Sequence, residues 1–164
     1  MGKAKRGAVL FMTDIEMLDE KAEELCRWAA ARAGVIVVVP LLGTVALCAN
    51  EVYLVIRIGK LYGKTISESA AAGFLTSLGA AFAGQTLATL IPFPPTQIAI
   101  GVAVTYAVGE VAQEWVKGGM SENLDQLDQV WDKAKNYAEE MLDELKSHTG
   151  KDRPLGDESR KFHL

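Results

Sequence analysis

The sequence predicts an all-α protein, a helical bundle of about five helices around a central helical hairpin. Apolar side chains recur every three or four residues near both ends of the chain, and two Thr-x-x-Glu sequences mark helix starts. Prolines interrupt an otherwise continuous apolar middle, as at the tip of a hairpin. The β-branched run at residues 35–39 has no partner strand elsewhere, so we interpret it as the end of a buried helix.

The composition describes a single apolar domain and excludes several classes of protein. The chain has 164 residues, enough for one buried core, and 49% of them are apolar. The net charge of −4 argues against nucleic acid as a partner, because phosphate binding needs a basic excess. Two Cys and two His are too few to favour a disulfide framework or a zinc site. No Gly-rich nucleotide-binding motif occurs, and we expect no metal, cofactor or catalytic residue.

The first predicted helix is amphipathic and covers residues 13–39. Thr13 and Glu16 form a capping box, and residues 1–12 before it are expected to be flexible, without the features of a secretory signal. One apolar stripe follows along the helix, made by Ile15, Leu18, Ala22, Leu25 and Ala29.

A second helix is predicted from Thr44 to Tyr62. Pro40 and Gly43 interrupt the chain before it, and Gly63 is a suitable stop after it. The helix is apolar except for one polar stripe of residues three or four apart, namely Asn50, Tyr53, Arg57, Lys60 and Lys64.

The predicted hairpin covers residues 66–116 and has no charged residue from Ser69 to Gly109. A second capping box, Thr65 to Glu68, starts its first arm, which is rich in Ala and Gly. The return arm runs from about Thr96 to Val116. We expect the small-residue surfaces of the two arms to be hidden from water. The rigid tip is the candidate contact with a membrane or a partner, and it consists of Ile91, Pro92, Phe93, Pro94 and Pro95.

The last predicted helix covers residues 121–146 and is the second amphipathic end helix. Its apolar positions step by three and four residues, as in a coiled coil, and its other faces are acidic. Residues 147–164 are expected to be a charged tail. The candidate oligomer seam along this helix consists of Leu124, Leu127, Trp131, Met141 and Leu145.

The charge-free middle raises the question of whether it enters a bilayer. The first arm is long enough by count, but its Ala, Gly, Ser and Thr residues gain little on insertion. The charge-free part of the return arm, Thr96 to Gly109, is too short for a full crossing. We favour a hairpin embedded in, or docked on, a membrane over a wholly soluble bundle.

Polar residues inside the apolar segments form a candidate buried polar cluster. The acid/base hypothesis places two glutamates one turn apart on the return arm, facing basic residues of the second helix. The structural hypothesis makes them ion pairs that close the bundle, and we favour it because a catalytic pair also needs a cleft and a nucleophile. The cluster consists of Asn50, Glu51, Arg57, Lys60, Glu110 and Glu114.

Residues 35–115 resemble the YcjF-type domain of unknown function that accompanies bacterial P-loop GTPases. The resemblance lies in the Pro40–Gly43 break, in Ala49-Asn50-Glu51 with the ending Ile58–Gly63, in Leu90-Ile91-Pro92, and in Thr105–Gly109 leading to Trp115. This chain departs from the family at Leu42, where a second proline is common, and at the tip, where the family has a Pro-Gly turn. The resemblance implies a helical, membrane-associated module that works with a GTPase, and it implies no catalytic residues.

The leading functional hypothesis is a non-enzymatic module on the cytoplasmic face of the cytoplasmic membrane. Its expected partners are membrane lipid and either a P-loop GTPase or further copies of itself. The alternative is a soluble, cytoplasmic helical scaffold or oligomer in which the hairpin forms the buried core. A third hypothesis, an enzyme or small-molecule binder, requires a deep cavity lined by Glu51, Arg57 and Glu110.

Overall fold

The computed structural model describes residues 2–37, 43–81, 94–121 and 127–147. These residues form six helices and no strand, so the prediction of an all-α bundle is confirmed for them. In chain order the helices are α1 (Gly2–Ile36), α2 (Gly43–Leu61), α3 (Glu68–Ala81), α4 (Pro94–Lys117), α5 (Asp128–Glu140) and α6 (Leu142–Lys146).

Helix α1 is longer than predicted at its N-terminal end. It begins at Gly2, so the helix start at Thr13 was wrong, and residues 2–12 of the segment expected to be flexible form its first turns. Ala, Lys, Arg, Leu and Met dominate these turns, and all five have high helix propensity. At the other end the helix includes Val35 and Ile36, which confirms the helical interpretation for these two residues, while residues 38 and 39 of the run lie outside the described residues. Val35 is nevertheless 43% exposed, so the expectation of burial was wrong there.

Helix α4 lies at the centre of the bundle, antiparallel to α1. Gly109 lies opposite Cys26 and Leu54 in the middle of this packing, and Lys117 pairs with Asp19 at the end of it. The side chains of Ala103, Val111 and several of their neighbours along α4 are buried. Helices α1, α2, α5 and α6 all pack against α4, so α4 organises the core.

Within the described residues, the two arms of the predicted hairpin, α3 and α4, do not pack along each other. Helix α3 packs on α2, where the Ile66 side chain covers Gly59, and it meets α4 through the stacked rings of Phe74 and Trp115, whose centroids are 4.4 Å apart. The small residues of α4 are buried, as expected, because α1 supplies the facing surface. The corresponding residues of α3 are largely exposed, including Gly73.

The helix ends show which local signals were correct. Gly63 has a φ of +71°, and the amides of Gly63 and Lys64 donate to the carbonyls of Lys60 and Gly59, which forms the Schellman motif that ends α2. The predicted stop at Gly63 is therefore confirmed. The cap of α3 is Ser67, whose Oγ accepts the Ala70 amide at 3.1 Å, and the predicted capping box that starts at Thr65 was two residues early.

The last predicted helix is divided, and its apolar face is already covered. Helix α5 ends at Glu140, and a turn at Met141 leads into α6. Trp131 and Leu145 are buried within the chain at 3% and 1% exposure, while Leu127 and Met141 pack against the same core. Leu124 lies outside the described residues. These side chains are not the free seam that the oligomer hypothesis assigned to them, because α4 and α1 occupy that face.

We expect Gly109→Ala to destabilise the fold. A Cβ at Gly109 would overlap Cys26 Sγ and lie 3.1 Å from Cys26 Cβ and 3.2 Å from Leu54 Cδ2. Overpacking of this kind costs about 1–3 kcal/mol, more than the roughly 1 kcal/mol that Ala gains over Gly in a helix. Urea unfolding followed by circular dichroism measures the difference.

The matched control is Gly73→Ala, because a Cβ at Gly73 meets nothing within 4 Å. This change is expected to stabilise the protein slightly. Combining Gly109→Ala with Cys26→Ala removes the overlapping sulfur and is expected to recover part of the loss. Equal stability changes at the two glycines would contradict the close α1–α4 contact.

Candidate functional site

The structure separates the members of the predicted polar cluster. Asn50 is 1% exposed and its Nδ2 donates to the Ala29 carbonyl at 2.9 Å, which ties α2 to α1. Arg57 and Lys60 are exposed, and the Arg57 guanidinium lies over the Tyr53 ring, 5.7 Å from its centroid. The predicted approach of these two basic residues to the glutamates of α4 was therefore wrong, since the basic side chains point outward.

Glu51 is the one member of the cluster that faces α4. Thr105 Oγ1 donates to Glu51 Oε1 at 3.2 Å, and Thr105 itself is fully buried. Burial raises the pKa of Glu51 to about 7, and the hydrogen bond from Thr105 offsets only part of that effect. The carboxyl group therefore changes its charge near neutral pH.

Glu110 and Glu114 lie at the other half of α4, beside α1. Burial raises the pKa of Glu110, and the nearby carboxylates of Glu23 and Glu114 raise it further. Lys117 pairs with Glu114 at 3.3 Å and with Asp19 at 3.2 Å. These contacts fit the structural interpretation for Glu114, whose ion pair lies at this end of the bundle, and they do not extend it to Glu110.

A polar network joins three helices around Asp19. The hydroxyl of Tyr62, the residue directly after α2, donates to Asp19 Oδ1, and Gln113 Nε2 on α4 donates to the same oxygen at 3.1 Å and to Tyr62 Oη at 2.7 Å. Although burial opposes it, the hydrogen bonds from Tyr62 and Lys117 lower the pKa of Asp19. Sequence analysis missed Asp19, because nothing in its local pattern distinguishes it from the other acidic residues of α1.

Between α1, α4 and α5 lies an open acidic cleft of about 590 Å³. Within the described part of the chain, no group of three His, Cys, Asp or Glu side chains is arranged to hold a metal ion. The cleft contains neither Glu51 nor Arg57, so it is not the cavity that the enzyme hypothesis requires. Its lining residues are Glu16, Asp19, Glu20, Glu23, Tyr106, Glu110, Gln113, Glu114, Lys117 and Tyr137.

The Arg27 side chain of α1 forms polar contacts with both C-terminal helices, α5 and α6, beside this cleft. Its guanidinium contacts Glu23 at 3.1 Å and Glu144 of α6 at 2.8 Å, and it also donates to the Tyr137 hydroxyl of α5. The spacing of four residues between Glu23 and Arg27 is a recognisable helical pair, but the contacts with α5 and α6 depend on the tertiary fold.

At the opposite end of the α1–α4 pair the surface is apolar. We call residues 33–37, 46–50 and 97–104 the charge-free end, since they contain no Asp, Glu, Lys or Arg. Glycines allow the first and third of these segments to lie close together, because a Cβ at Gly34 would meet Val102 Cγ2 at 3.0 Å and one at Gly101 would meet Val37 at 3.4 Å. Val35 is 43% exposed, and Ile36, Val37 and residues 97–100 are partly exposed.

The predicted hairpin tip lies next to the charge-free end in the sequence. Ile91, Pro92 and Phe93 are outside the described residues, while Pro94 and Pro95 begin α4, a position that suits the fixed φ of proline. In the described segments, no helix combines the length and the apolar character that a membrane crossing requires.

Comparisons with known proteins add no relative to this picture. No family model, curated protein or solved structure matches the chain. The resemblance of residues 35–115 to the YcjF-type domain therefore stays a prediction.

We expect Glu51→Gln to stabilise the protein above neutral pH and to have little effect near pH 5. A carboxyl group with a raised pKa in the folded state holds its proton there more tightly than in the unfolded chain, so the fold loses stability as the pH rises from the ordinary value of 4.5 to about 7, and the full loss is present above pH 7. Gln keeps an acceptor for Thr105 without the charge. Thermal unfolding at pH 5 and pH 9 measures this, with an expected rise at pH 9 of about 2–6 °C.

The exposed Glu68, at the start of α3, is the control, and Glu68→Gln is not expected to produce a pH-dependent gain. If Glu51→Gln changed the melting temperature equally at both pH values, burial would not raise the pKa of Glu51 in the folded protein.

Proposed function

We propose that this protein is a non-enzymatic helical module that docks its charge-free end on the cytoplasmic face of the cytoplasmic membrane. There it acts with a P-loop GTPase or as a homo-oligomer. The observation that carries the proposal is the charge-free end itself, where three helix termini meet without a charged side chain and leave Val35 exposed. An exposed apolar surface of this kind suits a lipid or protein contact better than bulk water.

Lipid is the favoured occupant because of the way charge is distributed along the chain. The charge-free run continues through residues 82–93, which lead directly into α4 and include the predicted tip. The charged network around Asp19 lies at the C-terminal end of α4, beside the middle of α1 and away from the charge-free end. Docking through the charge-free end would bury apolar groups while these ionised groups stay in water, and that arrangement avoids the cost of desolvating them.

The basic residue closest to the charge-free end on α1 does not contradict this orientation. Arg32 is 6% exposed, and its guanidinium lies 5.5 Å from the centroid of the Trp28 ring. Its charge is therefore largely covered by protein.

The alternative function is a helical scaffold without a membrane role. The burial of α4 favours it, because much of the apolar return arm is already covered by α1, α2 and α5. The GTPase partnership rests on the resemblance of residues 35–115 alone. A partner or second copy would have to contact surfaces other than the apolar face of α5, which is filled by the chain's own core.

Vesicle flotation with matched charge insertions tests membrane docking. The wild-type chain is expected to float with phosphatidylcholine vesicles at about pH 6, where an exposed Glu is ionised. Val35→Glu should reduce the partition coefficient by roughly tenfold or more, since each 1.4 kcal/mol is a factor of ten and a carboxylate in lipid costs at least that much.

The control is Met17→Glu, which changes a residue of similar exposure on the same helix, 47% against 43%, on the far side of Arg27 from Val35. It is expected to leave flotation unchanged, and circular dichroism confirms that both variants stay folded. If the wild-type chain stays at the bottom of the gradient, the membrane proposal fails and the scaffold remains.

Light scattering in buffer without detergent tests the homo-oligomer. We expect a mass that is a multiple of the 17.7 kDa chain. A mass of one chain at all concentrations would remove the homo-oligomer from the proposal and leave docking untouched.

A further inference from the structure

Glu51 occupies an unusual position relative to the charge-free end. It directly follows the last residue of that end on α2, and it is the first charged residue of this helix. Its neighbours Asn50 and Val52 are buried, and its own carboxyl group is held by Thr105 on α4 at 3.2 Å. The next charged residue of α2, Arg57, lies more than one turn away and is exposed.

The helices around Glu51 bring few other ionisable groups to this level. On α4 the facing residue is Thr105, and the sequence of that helix is uncharged until Glu110. On α3 the only acidic or basic residue is Glu68, at the helix start. Helix α1 contributes Arg32, stacked on Trp28, and α2 itself contributes the Cys48 thiol, whose pKa is raised by burial and by Glu51.

We propose that docking of the charge-free end on a membrane is coupled to the protonation of Glu51. The neutral carboxyl group permits docking, and the carboxylate opposes it. This inference rests on the proposed function and adds its regulation. The reason is electrostatic, because lipid placed against this end removes water from around Glu51 and so disfavours its charged form.

The direction of the pH dependence follows from the same argument. Burial raises the pKa of Glu51 to about 7, so both charge states are accessible around neutral pH. Docking removes more water and raises that pKa further, and by linkage proton uptake must then strengthen docking. Binding to vesicles should increase as the pH falls below about 7, and the protein should be released as the pH rises.

Flotation of the full chain on phosphatidylcholine vesicles at pH 6 and pH 8 and constant ionic strength tests the coupling. These vesicles carry no net charge, so protonation of other carboxylates does not change the long-range electrostatic attraction between the protein and the vesicle surface. The wild-type chain is expected to bind at least about fivefold more tightly at pH 6, because one coupled proton gives up to tenfold per pH unit. Glu51→Gln should bind equally at both pH values, at the level of the wild type at pH 6.

Two further variants separate Glu51 from other acidic residues. Glu68→Gln removes an exposed carboxylate and should keep the pH dependence of the wild type. Thr105→Val removes the hydrogen bond that stabilises the carboxylate, so it should raise the pH at which binding is half lost. This variant tests the coupling even if Glu51→Gln folds poorly.

The outcomes distinguish the coupling from docking itself. Equal binding of the wild type at pH 6 and pH 8, or an unchanged pH dependence in Glu51→Gln, would overturn the coupling while docking stands. No flotation of the wild type at either pH would overturn both. The proposal is supported if binding depends on pH in the wild type and in Glu68→Gln but not in Glu51→Gln.

Discussion

The close approach of α1 and α4 is the constraint on which the rest of the structure depends. Gly109 has no side chain where α4 passes Cys26 and Leu54, and the two helices can therefore pack with little space between them. Gly34 and Gly101 repeat this arrangement within the charge-free end. Since α2 and α6 each pack on both of these helices, a change in the α1–α4 distance would also shift the contacts that they make.

This packing also separates two kinds of environment along α4. Toward its C-terminus, Gln113 and Lys117 reach Asp19 on α1, and charges that remain near water pair with one another. Toward its N-terminus the facing segments have no charges, so apolar contacts hold the helices together, and the hydrogen bond from Asn50 to the Ala29 carbonyl ties α2 to α1. Glu51 lies between these environments, and its pKa reflects its removal from water.

The sequence predicted the helices better than their partners. The stop at Gly63 and the helical state of Val35 and Ile36 depend on local geometry, which a few residues determine. The arrangement of α3 and α4 depends on which helix offers the better facing surface. Ala and Gly allow close packing without requiring it, and they are buried in α4 but exposed at Gly73 of α3.

The same limit applies to the candidate sites. The stepped apolar positions around Trp131 correctly predicted a buried face, but periodicity cannot tell a second copy of the chain from the chain's own α4. The polar stripe of α2 was real, yet its members point to different surroundings, with Asn50 in the core and Arg57 in water. Arg27 joins Glu144 across most of the sequence, and such a contact has no local signal.

The stability of the fold does not explain why residue 51 is a glutamate. A hydrogen bond from Thr105 needs an acceptor, and a neutral amide of the same shape would provide one without a charge to desolvate. The carboxyl group instead makes the fold less stable as it ionises, since burial favours its protonated form. Compared with an amide, the carboxyl group adds a charge that changes near neutral pH. This charge lies beside the charge-free end, whose segments contain no charged side chain.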